Sequence, residues 1–395
     1  MTETFVPLIK KITPKNILSF GPDTNPIELK GLNILIGPNG SGKSNLIEVL
    51  SLMRSTPHDM RKIISDGGGI REWIWKGGKK AIASIEVIIE NPKGQQPLRH
   101  AIKFKENNQE FYLEDEVIEN EHPYGDLEIP FFYYKFNKGS PVLKFDVEKD
   151  IDRAVNEKFF LRNGSILAQR KDPDHYPVIH YISSNYDKIR IYREWSFGHN
   201  AVFREPQKAD MRNDRLEEDF SNLGMFLSNL RKKPKVKKAI IEGLREFYDS
   251  FDDFEVVAEG GTVQVFFAEG DYTIPSSRLS DGTLRYLCLL TILCDPDPAS
   301  IICIEEPELG LHPEIIPKLA ELLIEASKKT QLIVTTHSDI LVDAMNNYPE
   351  SIIVCEKHDG KTTMRRLDEK QIEIWLKKFR LGELWSSGEI GGNRY

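Results

Sequence analysis

The 395-residue sequence is poor in cysteine and has no apolar run near the roughly 20 residues that a membrane-spanning helix needs. Its four cysteines, Cys288, Cys294, Cys303 and Cys355, stand singly in apolar surroundings. They have neither the paired spacing of a zinc site nor the pattern of a disulfide framework, and are expected to be reduced core residues. Residues 1–15 lack the apolar core of a signal peptide, so the expected compartment is the cytoplasm, with no membrane partner. No heptad pattern is sustained, which excludes a long coiled-coil arm, and there is no internal repeat or low-complexity tract. A net charge of −8 excludes a surface that is basic all over and leaves only a local basic track. That track is Arg231-Lys232-Lys233-Pro234-Lys235-Val236-Lys237-Lys238, which reads either as a solvated helix start or as a contact for a phosphate backbone.

What is present is a globular composition, 40% hydrophobic and 10% aromatic, enough to bury a large core. The run Gly31-Leu32-Asn33-Ile34-Leu35-Ile36 predicts a short buried strand, followed by glycines and a helix over 44–53. From residue 82 to 136 apolar and polar residues alternate, which predicts an antiparallel β lobe. Residues 147–238 carry helical spacing, notably over 216–230, with a further helix over 236–251. Alternation returns over 256–274. After it come strands at 301–304, 332–334 and 352–354 separated by helices, the order of a parallel sheet built by crossovers. The fold class expected is α/β.

Four motifs carry chemistry. Gly37-Pro38-Asn39-Gly40-Ser41-Gly42-Lys43-Ser44 fits GxxxxGK[ST] between a strand and a helix, where backbone N–H groups and the helix N-terminus cradle phosphates. In that pattern Lys43 reaches the β and γ phosphates and the Ser44 hydroxyl ligates Mg²⁺. Glu305-Glu306 closes the strand 301–304. The first carboxylate suits a metal held through water, the second a general base, and helix capping is the bland alternative. His337, in Thr335-Thr336-His337-Ser338, stands at the carboxyl end of another parallel strand, where α/β ligands bind. Leu279-Ser280-Asp281-Gly282-Thr283 opens a helix and reads as an N-cap or as an anion-binding turn.

In this order the motifs resemble the ABC-type ATPase class: a P-loop, then LSDGT as the signature, IEEPELGLHP as Walker B with a D-loop, and TTHS as the switch histidine. Ser44 and Ser280 stand 236 residues apart, whereas transporter ATPase subunits are compact between these motifs. The start of the chain and the EEPE form resemble RecF, SMC and OLD-like ATPases, especially the stand-alone RecF-like ATPases of bacteria and archaea. The resemblance implies one P-loop NTPase head over 1–395, with a P-loop segment 1–56, a β-rich and helical insertion 57–275 and a signature, Walker B and switch segment 276–395. It implies ATP and Mg²⁺ as cofactors, with Glu306, His337 and Lys43 catalytic and Gly37 to Ser44 holding the nucleotide. Ser280 and Gly282 of a second copy would cap that nucleotide, and Ser44 and Glu305 would face the metal. Gln169 is the candidate for the Q-loop glutamine that also touches the metal.

Two departures from the family pattern are Asp281, where transporter signatures have glycine, and Glu305, where Walker B usually has aspartate. The expected role is a nucleotide-switched homodimer in DNA-associated processes or phage defence, gating a separately encoded, nuclease-like effector. Only 58 residues follow His337, too few for a Toprim nuclease. Residues 383–392 are expected either to dock on that partner or to fray. A transporter energiser and a low-turnover structural clamp are the competing roles. The stretch Ile189 to Phe197 carries no chemistry that the sequence defines.

Overall fold

Five consecutive buried residues, Leu32–Ile36, form the strand that enters the phosphate loop, and it lies in the middle of a six-stranded sheet. The computed structural model describes residues 5–78, 82–125, 127–137, 140–146, 151–154, 164–193, 195, 198 and 200–392. In that sheet the strands run in the order Arg190–Tyr192, Ile301–Glu305, Gln331–Thr335, Leu32–Ile36, Ile352–His358 and Lys361–Arg366. All neighbouring pairs are parallel except the last, a hairpin. Parallel strands buried on both faces need near-continuous apolar sequence, which Ile301-Ile302-Cys303-Ile304 and Leu332-Ile333-Val334 supply.

The sheet divides the interior into two cores. Ile34, Ile36, Ile302, Ile304, Leu332, Val334, Ile352 and Val354 point to one face, under the helices Asp281–Leu293 and Ile316–Ala326. Leu35, Cys303, Ile333, Ile353 and Cys355 point to the other, against the P-loop helix Lys43–Ser55 and the β lobe. Each fully buried aliphatic side chain on these faces contributes about 2 kcal/mol, so strand register is strongly fixed: a one-residue slip would exchange the two sets.

The β lobe is an eight-stranded antiparallel sheet running from Ile27–Glu28 through Ile9–Lys15, Ala83–Ile89, Leu98–Asn107, Glu110–Asn120, Phe132–Asn137 and Ser140–Asp146 to Ile151–Ala154. A smaller antiparallel sheet joins Gln207–Lys208, Thr262–Glu269, Asp253–Glu259 and Tyr272–Pro275. The antiparallel readings of 82–136 and 256–274 hold.

The helical reading of 147–238 holds only in part. Strands Ile151–Ala154, Arg190–Tyr192 and Gln207–Lys208 lie within it, while residues 147–150 and 155–163 fall outside the described residues. The helix expected over 216–230 is confined to Leu223–Leu230. Phe220 has a left-handed backbone, and the buried Asn222 side chain accepts from the Glu217 N–H and donates to the Arg212 and Arg215 carbonyls, fixing a loop instead. Within the 57–275 span, Arg190–Tyr192 pairs with the strand Ile301–Glu305. Residues 383–392, expected to dock on a partner or fray, pack on the chain itself: Leu384, Trp385 and Ile390 are buried.

One wholly buried polar cluster ties the helix pair Ile166–Gln169 and Pro177–Asp187 to the β lobe. The Glu116 carboxylate accepts from Ser165 Oγ at 2.5 Å and from the Ile166 N–H at 2.8 Å, and lies 3.1 Å from His100 Nε2. His100 Nδ1 lies 3.2 Å from the Tyr186 hydroxyl. Removing one member of a buried charged network leaves the others without partners. Glu116→Ala is therefore expected to cost about 3 kcal/mol of stability, read as a lower midpoint in urea denaturation, whereas the exposed Glu242→Ala on the helix Pro234–Phe247 should leave the midpoint nearly unchanged.

Candidate nucleotide site

The phosphate loop is held in a shape that glycine alone permits. Gly37, Gly40 and Gly42 all have positive φ. A Cβ on Gly37 would stand 2.2 Å from the Cys355 carbonyl, and one on Gly42 would stand 2.2 Å from Thr362 Oγ1. Gly42 is the left-handed residue from which the helix Lys43–Ser55 starts. The hairpin strand Lys361–Arg366 braces the loop from behind: Thr362 Oγ1 lies 2.8 Å from the Ser41 carbonyl and 2.6 Å from Ser19 Oγ, which also accepts from the Asn45 amide. The result is a rigid concave turn at a helix N-terminus, the geometry that takes a phosphate.

Lys43 is buried and its ammonium donates to the carbonyls of Gly37 at 2.7 Å and Pro38 at 3.2 Å. Burial pushes its pKa below the usual lysine range, while Cys355 and the carboxylates Glu306, Glu305 and Glu308 pull it back. Ser44 Oγ donates to Glu305 Oε2 at 2.9 Å, so two strands of the sheet bring together residues 261 positions apart. A hydroxyl beside a carboxylate, next to a glycine cradle with no room for a Cβ, fits Mg²⁺ bound with nucleotide phosphates. Among the described residues no cluster of three or more His, Cys, Asp or Glu side chains is present that would hold a metal without them.

Glu306 follows with a left-handed backbone, φ 46°. Its N–H donates to the Thr335 carbonyl at 3.0 Å and its own carbonyl accepts from the Arg285 guanidinium at 2.5 Å, so the unusual conformation is imposed from both sides. His337 Nε2 lies 3.7 Å from Glu306 Oε1, beyond hydrogen-bond range but on the same side of the sheet. The histidine is carried by Glu308, whose buried carboxylate accepts from Thr336 Oγ1 at 2.7 Å and from the His337 N–H at 2.9 Å. Ser338 then caps the next helix through the Leu341 N–H.

Sequence reasoning missed three side chains here. Arg193 bonds Glu48 on the P-loop helix and lies 3.5 Å from Glu305 Oε1. Trp195 donates its indole N–H to the Glu305 carbonyl at 3.0 Å. Arg285 stacks its guanidinium 4.3 Å above the Trp195 ring, and burial lowers its pKa to about 10. Arg193 and Trp195 belong to the stretch 189–197, of which Glu194, Ser196 and Phe197 lie outside the described residues. The available signal was its apolar Ile189-Arg190-Ile191 start, a short edge strand. Gln169 ends the short helix Ile166–Gln169. Its side-chain amide donates to the carbonyls of Gly164 and Ser165, at the start of its own four-residue helix.

Ser280 is the N-cap of the helix Asp281–Leu293, its hydroxyl accepting from the Thr283 N–H at 3.0 Å. Gly282 packs against the Gly310 carbonyl, 2.9 Å from where a Cβ would stand. Asp281, the departure from the signature pattern, is held within its own chain: its carboxylate accepts from the Arg204 guanidinium at 2.5 Å and from the Gly198 N–H at 3.1 Å. Arg204 is buried and also donates to the Leu279 carbonyl at 2.6 Å. Asp281 therefore fastens the signature turn to the loop 198–204, an arrangement glycine could not provide.

The chain belongs to the family described as "AAA domain, putative AbiEii toxin, Type IV TA system", whose model matches residues 32–343. It has the fold of SMC head domains. It resembles an Smc head bound to the C-winged helix domain of ScpA at 16% identity and TM-score 0.58, over 93% of this chain and 100% of that one. It also resembles a Pyrococcus furiosus Smc head domain with an extended coiled coil, bound to the C-terminal domain of ScpA, at 13% identity and TM-score 0.57, over 94% and 99%. A comparison with curated proteins finds no match.

Replacing Asp281 by alanine strands the buried Arg204 charge. Asp281→Ala is expected to lower stability by about 2–3 kcal/mol, measured by denaturant unfolding, and Asp281→Asn, which keeps an acceptor for the Gly198 N–H, to lower it by less.

Proposed function

We propose that the chain binds ATP with Mg²⁺ and hydrolyses it as a head-to-tail dimer. The observation that carries this reading is the Ser44–Glu305 contact at 2.9 Å, with Glu306 and His337 beside it. Gly37 to Ser44 cradle the phosphates, and Lys43 turns from the Gly37 and Pro38 carbonyls to the phosphate oxygens. Ser44 and Glu305 would hold Mg²⁺, which would supply charge screening for the phosphates. Glu306 accepts the proton of the attacking water, and His337, fixed through its N–H by Glu308, donates to the γ-phosphate side of the site. Arg193 takes the place given to a Q-loop glutamine, joining the P-loop helix to the metal-facing carboxylate.

Dimerisation is supported by where the signature lies. The helix that follows Ser280 packs on the face of the sheet opposite the P-loop helix, which favours a reading in which a second copy supplies Ser280 and Gly282 to the nucleotide. Closure around two ATPs and opening after hydrolysis would make the assembly a switch. The role favoured is gating of a separately encoded effector in DNA-associated processes or defence against phage; that both solved heads are bound to ScpA supports a protein partner. The basic run contributes a smaller track than its sequence suggests. Lys237 bonds Asp253 at 2.7 Å and Lys238 lies 3.5 Å from Glu242, leaving Lys232, Lys233 and Lys235 exposed for a phosphate backbone.

Steady-state hydrolysis tests the reading. Glu306→Gln is expected to lower turnover by roughly 100-fold or more while still binding ATP and shifting to the dimer; unchanged turnover would remove Glu306 from the chemistry. Lys43→Ala and Ser280→Arg chains, each inactive alone, should recover up to about a quarter of wild-type activity when mixed, because half the dimers hold one intact composite site. No recovery would favour a site complete within one chain. Stimulation by double-stranded DNA would support the DNA-associated role.

A further inference from the structure

Behind the phosphate loop lies a segment that the nucleotide chemistry above does not use. Residues 381–392 begin on the helix that follows His337: the Gly382 N–H donates to Asp343 Oδ1 at 2.7 Å and the Leu381 N–H to Asn346 Oδ1 at 2.8 Å. The segment turns through Gly391 and Gly392, both with positive φ, and its far end is tied down three times. The Ile390 carbonyl accepts from Arg365 at 3.1 Å, the Gly392 N–H donates to Glu356 Oε1 at 3.1 Å, and the Gly392 carbonyl accepts from the Trp385 indole N–H at 2.9 Å. Trp385 is itself buried, so that bond is made away from water.

The place where Gly392 lands is the first residue of the phosphate loop. A Cβ on Gly392 would stand 2.9 Å from Val354 Cγ1 and 3.6 Å from Gly37 Cα. Gly37 has no slack on its other side, since a Cβ there would meet the Cys355 carbonyl at 2.2 Å. Gly37 is thus confined between the strand Ile352–His358 and the 391–392 turn, and its carbonyl is the one that Lys43 grips at 2.7 Å.

We infer that residues 381–392 form a strap that positions Gly37 from behind, through Trp385 and Glu356, and so sets the nucleotide affinity of the loop. The inference rests on the ATP reading of the site. The strap residues are positioning residues, because they act on the nucleotide through Gly37. The strap also links the loop to the helix after His337, so that the two sides of the site share one brace.

The test is titration of the wild-type chain and four variants with ribose-labelled fluorescent ATP and Mg²⁺, with thermal midpoints measured in parallel. Gly392→Ala drives a methyl group toward Val354 and Gly37 and should weaken binding by roughly tenfold. Trp385→Phe keeps the ring packing, removes the bond to the Gly392 carbonyl, and should weaken binding by roughly threefold. Gly270→Ala is the control: Gly270 also has positive φ, but no atom lies within 4 Å of its Cβ position, so its midpoint should fall with affinity unchanged. The inference is overturned if Gly392→Ala binds as tightly as wild type, or if Gly270→Ala weakens binding as much. Failure of the wild type itself to bind, with Lys43→Ala no different from it, would overturn the ATP reading and the strap with it.

Discussion

The arrangement depends on the parallel pairing of Leu32–Ile36 between Gln331–Thr335 and Ile352–His358. With the parallel pairing of Gln331–Thr335 to Ile301–Glu305, it puts the carboxyl ends of neighbouring strands on one edge, where the phosphate loop, Glu305-Glu306 and His337 follow them. Asn33 fixes the register from within: its amide donates to the Leu332 carbonyl at 2.8 Å, and its oxygen accepts from the Lys30 N–H and from Arg366. A buried polar group that must find its partners admits one alignment, and every functional distance at the strand ends follows from that alignment.

Around this edge the charged side chains are held by specific partners. Glu305 meets Ser44 and Arg193, Glu308 meets Thr336 and the His337 backbone, and Arg285 is spent on the Glu306 carbonyl and the Trp195 ring. The positions of the catalytic candidates are set in advance by neighbours that take no part in the chemistry, which is the form preorganisation takes in an active site. The strain at Glu306 is part of the same design. A left-handed glutamate, held by Thr335 behind it and Arg285 above it, keeps its side chain at the mouth of the site.

Much of this was legible in the sequence because the signals are local. A five-residue apolar run before GxxxxGK[ST], and another before Glu305-Glu306, each specify a buried strand ending in a functional residue. Alternation marks the antiparallel lobe for the same reason. What stayed hidden is long-range. Arg190–Tyr192 is too short to declare itself a core strand, and its role comes from pairing with a strand more than a hundred positions later. Arg193, Trp195 and Arg204 act through partners that no spacing rule connects to them. Gln169 donates to the carbonyls of Gly164 and Ser165, beside the helix start that Glu116 anchors, a contact that spacing alone does not announce. Residues 383–392 read as a docking segment or a frayed end, whereas Gly388, Gly391 and Gly392 serve left-handed turns against the fold.

Ser44 and Glu305 are proposed to form one metal-facing pair for a bound nucleotide. Calorimetric titration of the wild-type chain with ATP, with and without Mg²⁺, tests it most directly. The account predicts that Mg²⁺ tightens binding by roughly tenfold or more and that Ser44→Ala abolishes this gain while leaving metal-free binding in place. Binding that ignores Mg²⁺, or a gain that survives Ser44→Ala, would contradict it.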